Sequence, residues 1–75
     1  DMLLPDNIAP EDSIYYNGAI VLKVVQREGR ISLVNLFYEV NKHESLSFQI
    51  FILCLDWLFL INCISIQNEE VVLCS

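Results

Sequence analysis

Residues 48–61 read FQIFILCLDWLFLI, fourteen positions at which only Gln49 and Asp56 are polar. Gln49 and Asp56 are seven apart, so on an ideal helix they lie within about 20° of each other. The polar stripe is therefore one residue wide, and a helix this apolar is normally buried on nearly all sides. The chain has only 75 residues, and a domain of that size encloses about 60% of its unfolded surface. With 55% of its residues hydrophobic, it holds more core material than a monomer can wrap. The expectation is an apolar face kept for another protein.

The rest of the chain reads as short elements around that run. Residues 1–10 form an extended arm, because Pro5 and Pro10 fix φ and push their predecessors out of the helical region. Its Met2, Leu3, Leu4 and Ile8 suit a docking arm better than a solvated tail. Met2 reads as a natural start, and the broken apolar stretch without a basic leader does not read as a signal peptide.

Residues 11–75 read as a single domain. A first helix is expected over about 12–28, stopped by Gly29 at the left-handed position past its end. Its inner face combines Ile14, Tyr15, Gly18, Val21, Leu22 and Val25. Asn17, Lys23 and Arg27 fall on the other side, and so do Tyr16, Ile20 and Val24, which makes that outer face unusually apolar. Gly18 inside a helix costs about 1 kcal/mol relative to Ala, which close approach of another helix would explain. A second helix is expected over about 32–41, with Ser32 as N-cap and Leu33, Leu36, Phe37 and Val40 inward. A third spans about 47–61, with Ser47 as N-cap. Residues 63–74 read as a β-hairpin, with Ile64 and Ile66 alternating before a loop of about four residues at Gln67–Glu70 and Val71 and Leu73 alternating after it. The fold class is mainly α with a C-terminal β-hairpin (α+β), in the element order of a small winged helix-turn-helix domain with an extended N-terminal arm.

No catalytic chemistry is written in the chain. Its only glycines, Gly18 and Gly29, rule out a Gly-rich phosphate loop. His43 lies in a polar turn, and no metal-ligand spacing occurs. The reading is of a non-enzyme without cofactors. Three cysteines, Cys54, Cys63 and Cys74, are an odd set without a C-x-x-C pair, which favours free thiols in a reducing cytoplasm.

Composition bears on two rival functions. A winged-helix DNA-binding regulator, or a homodimer of that type, would carry Lys and Arg on its third helix. This chain has a net charge of −6 and only Lys23, Arg27, Arg30 and Lys42 as bases, none of them in that helix. A small single-span membrane protein would use residues 48–66, close to the ~20 residues a bilayer needs. Asp56 near the middle costs such a span about 2.5–3.5 kcal/mol. The favoured surface for a protein partner comprises Leu3, Leu4, Tyr16, Ile20, Val24, Phe51, Asp56, Trp57 and Phe59.

The words MLLPDN (residues 2–7), SIYYNGAIVLK (13–23), FILCLDWLFLINCI (51–64) and VVLCS (71–75) together resemble the middle components of bacterial ABC-three-component systems, particularly the short type called middle component 6. The resemblance covers essentially the whole chain after Asp1, and its specificity lies in the order of the words. It implies a non-catalytic accessory subunit working with an SMC- or Rad50-like ABC ATPase and an effector such as a nuclease, as in Lamassu-type antiphage defences. It also implies that DNA is met only through the complex, while the cost of Asp56 in a span points to no membrane.

Overall fold

The structure, a computed structural model, describes residues 13–74. The expected arm, with Leu3 and Leu4, lies outside the described residues. The elements run α1 (Ile14–Glu28), β1 (Arg30–Ser32), α2 (Leu33–His43), α3 (Phe48–Leu60), β2 (Ile64–Gln67) and β3 (Glu70–Leu73). Helices dominate, and the three strands form one antiparallel sheet in the order β1-β3-β2, so the fold is α+β.

Each helix begins at a serine in extended backbone. The Ser13 hydroxyl accepts from the Tyr15 and Tyr16 amides, Ser32 from Asn35, and Ser47 from Ile50. These caps satisfy amides that have no partner inside the helix. Gly29 ends α1 at φ 76° and ψ −44°, with its amide donating to the Val25 carbonyl at 2.7 Å. Its own carbonyl accepts from Leu73 at 2.9 Å, tying the end of α1 to the sheet. α3 ends in a Schellman motif: Asn62 takes φ 64°, its amide reaches the Phe59 carbonyl, and the Cys63 amide reaches Leu58. An asparagine fills this left-handed position because its short polar side chain lowers the steric cost.

Between α2 and α3 the chain turns through 110°. Asn41 braces that corner, its Oδ1 accepting from the Leu46 amide at 2.8 Å while its Nδ2 donates to the Phe37 carbonyl at 2.9 Å. Leu46 is thereby held in the core with Val21, Val25, Leu36, Val40, Phe51, Cys54, Leu58, Ile64 and Val71.

Three features correct the expectations. First, β1 is a strand that three residues, Arg-Ile-Ser, are too few to announce by alternation. It exists because β3 pairs with it, Ile31 opposite Val71. Second, the hairpin loop has two residues, not four, since Gln67 and Glu70 already pair. Asn68 and Glu69 take φ 52° and 65°, the two positive values of a type I′ turn that matches the twist of its strands. Third, α1 is rotated about its axis relative to the expected face. Asn17 and Val24 are buried and Tyr15 is exposed. α1 packs on α2 as well as α3, so its inward arc centres on Val21 and turns toward Val24. Asn17 tolerates burial through the hydrogen bond from its Nδ2 to the Ser13 carbonyl, 3.1 Å.

Gly18 has the expected reason. A Cβ there would stand 3.3 Å from the Trp57 ring of α3, so the missing side chain lets α1 and α3 meet around the indole.

Candidate functional site

The described residues hold no group of three or more His, Cys, Asp or Glu positioned to share a metal. His43 is exposed and lines a shallow cleft with Ile20, Lys23, Val24 and Arg27. The three cysteines are free thiols. Cys54 is buried and donates to the Ile14 carbonyl at 3.7 Å. Desolvation pushes its thiol up to about 11, the opposite of what a nucleophile requires.

The basic side chains are largely spent within the molecule. Arg27 bonds Glu28 at 2.9 Å and Glu39 at 3.3 Å, Lys42 bonds Glu39 at 3.2 Å, and Arg30 bonds Glu70 at 2.8 Å. Lys42 also sits over the Tyr38 ring, 4.9 Å from its centroid. Lys42 first, then Arg27, hold the Glu39 carboxyl below its ordinary range. Such pairing leaves little free positive charge for a phosphate backbone.

What remains is an apolar face. Along α3, Phe48, Leu53, Phe59 and Leu60 are exposed, Leu60 by 75% and Phe59 by 52%. At ~100° per residue the outer surface of this helix divides into two ridges and a seam. Phe48, Ile52 and Phe59 form the ridge on the α2 side, where the Phe48 ring meets Phe37 edge-on at 5.4 Å. Leu53, Trp57 and Leu60 form the ridge on the α1 side, where Trp57 meets Tyr15 edge-on at 5.1 Å. Gln49 and Asp56, both exposed, occupy the seam between them. The first ridge continues onto α2 through a groove lined by Leu33, Val34, Phe37 and Phe48, where Val34 is 79% exposed. No single described helix is long and apolar enough to cross a membrane, although α2 and α3 pass that test as a bent pair.

The expected partner-facing residues divide into three groups. Asp56 and Phe59 are on this face, and Trp57 is at its edge, half-buried against Gly18 and Tyr15. Tyr16 is exposed on α1, its hydroxyl donating to Glu44 at 3.4 Å, and Ile20 is half-buried in the cleft near His43. Phe51 and Val24 are core residues. Phe51 follows Gln49 by two positions, about 200° around the helix, so the stripe that turns Asp56 to water turns Phe51 inward. That same stripe locates Phe48, Leu53 and Leu60, which sequence reasoning left out. Val34 and Tyr38, also exposed, lie opposite Leu36 and Val40 on α2 and were equally legible.

The family model for ABC-three component (ABC-3C) system Middle Component 6 matches residues 4–74. No curated protein and no solved structure matches the chain.

Proposed function

The chain belongs to the ABC-three component system middle component 6 family, and from that premise we propose that it docks through the outer face of α3 onto the ABC ATPase of its system. Membership makes it an accessory type of subunit in a multi-component defence system. In our reading the ATPase is SMC- or Rad50-like, the system resembles Lamassu-type antiphage defences, and this subunit links or regulates the ATPase and an effector such as a nuclease. DNA is met through the complex.

The observation that carries the proposal is the pair of apolar ridges on α3, whose Phe48, Leu53, Phe59 and Leu60 are solvent-exposed with no further element covering them among the described residues. We read the architecture as winged helix-turn-helix-like. Its support is the order α1-β1-α2-α3-β2-β3, the sheet order β1-β3-β2 and the 110° corner before α3, within the ~90–120° of a helix-turn-helix. In a DNA reader the helix after that corner presents polar and basic side chains to base edges. Here that position presents Phe, Leu and Ile, so the helix-turn-helix scaffold is turned toward protein.

Co-expression of the three subunits tests this. The tagged chain is expected to co-purify with the ATPase, and Phe59→Ala/Leu60→Ala is expected to break the complex while leaving the free chain folded. A complex that survives that double substitution unchanged refutes α3 as the docking face. Salt-sensitive binding of duplex DNA by the isolated chain favours the regulator reading instead.

A further inference from the structure

Given that α3 is the docking face, we infer that its partner presents an Arg or Lys to Asp56, and that the occupant is a different protein and not a second copy of this chain. Asp56 is exposed and lies in the seam between the ridges of Phe48, Ile52 and Phe59 and of Leu53, Trp57 and Leu60. Among the described residues it forms no ion pair, and α3 itself contains no basic residue. In the free chain water solvates the carboxylate.

Any surface that covers both ridges also covers the seam and strips that water. A desolvated carboxylate without a partner is strongly unfavourable, whereas one that receives a well-aligned guanidinium or ammonium recovers its solvation as a charge-assisted hydrogen bond. The seam is one residue wide, so the requirement is for a single cation set in an apolar surface. Gln49, one heptad earlier in the same seam, adds an amide that accepts from, or donates to, a neighbouring polar group. This pattern, one charge enclosed by apolar contacts, fixes register as well as affinity.

A second copy fails the same requirement. Two α3 helices packed face to face set seam against seam, and neither seam carries a cation, so each Asp56 is covered with only Gln49 or Asp56 of its mate to face it, in chains that each carry a net charge of −6. Like charges in a desolvated contact oppose association. The partner is therefore a different protein whose contact surface is apolar with a cation at its centre.

The test uses the full chain and the purified ATPase subunit, with affinities measured for wild type, Asp56→Leu, Asp56→Arg and Phe59→Ala/Leu60→Ala, and light scattering of the free chain. Expected results are a monomer of 8.7 kDa, an affinity loss of about 30-fold or more for Asp56→Leu, and a larger loss for Asp56→Arg. Circular dichroism should be unchanged in the Asp56 variants, since the side chain is outside the core. Wild-type or tighter binding by Asp56→Leu, with the Phe59→Ala/Leu60→Ala variant dead, overturns the cation while leaving the docking face standing. A free chain of twice the monomer mass that Asp56→Leu strengthens overturns the hetero-partner. Full binding by Phe59→Ala/Leu60→Ala removes the docking face itself.

Discussion

Val24→Asp tests where the core of this chain ends and its surface begins. Val24 is 3% exposed and packs in one cluster with Val21, Leu36 and Val40. Losing that burial costs about 1.5–3 kcal/mol. The introduced carboxyl titrates near ~3.9 in the unfolded chain, and burial raises its pKa in the folded one. At pH 7 folding must then take up a proton, at about 1.36 kcal/mol for each pH unit above the unfolded pKa, or about 4 kcal/mol. The total, about 5.5–7 kcal/mol by these two estimates, rivals the roughly 4–11 kcal/mol that ~0.05–0.15 kcal/mol per residue gives a domain of this length. Because the folded pKa is raised above the unfolded value, the electrostatic part is absent below about pH 3.9 and grows as pH rises toward the folded pKa. Urea unfolding followed by the fluorescence of Trp57, with wild type measured at each pH, reads this directly. The expected deficit is about 6 kcal/mol at pH 7, enough to remove most of the folded baseline, shrinking to about 2–3 kcal/mol near pH 4. Ile20→Asp is the matched control. It is half-buried beside Lys23 and Arg27, so its carboxylate reaches water, and its cost should stay at about 1–2 kcal/mol, the partial loss of side-chain burial. Equal losses for the two variants at pH 7, or a Val24→Asp deficit that does not depend on pH, would refute the rotation of α1 described above.

Gly29→Ala should lower stability by about 1–3 kcal/mol, because φ 76° with ψ −44° is unfavourable for an L side chain while the space around it is open. In thermal melts that is a drop of roughly 4–8 °C per kcal/mol, and an unchanged midpoint would show that the α1–β1 junction differs. Glu69→Gly should raise stability by about 1 kcal/mol by relieving the left-handed φ of 65° at the second turn position; a loss would mean the Glu69 side chain makes a contact that matters. The Cys54 thiol, raised to about 11 by burial, should resist alkylation at pH 8 in the folded chain while exposed Cys74 reacts, and urea should equalise them. Alkylation of Cys54 at the rate of Cys74 without denaturant would contradict its burial.

The helix boundaries were legible because their determinants are local. Ser32 and Ser47 cap amides three residues on, and Gly29 stops α1 through its own backbone freedom. The α3 stripe was legible for the same reason: two polar residues one heptad apart fix the wet side of a helix whatever surrounds it. The apolar outer face of α3 was legible too, since a helix polar only at Gln49 and Asp56 presents apolar side chains on nearly every side. Tertiary structure decided what depends on distant neighbours. β1 is a strand only because β3 lies beside it, and the two-residue turn follows from the Gln67–Glu70 pairing. α1 is apolar on both sides, so its periodicity left two orientations open, and packing against α2 and α3 together selected the one that buries Val24 and Asn17. The apolar outer face of α3 emerged from both sources. The sequence supplied a helix apolar nearly all round, and the fold, by seating Phe51 and Leu58 inward, determined that Phe48, Leu53, Phe59 and Leu60 are the side chains left exposed.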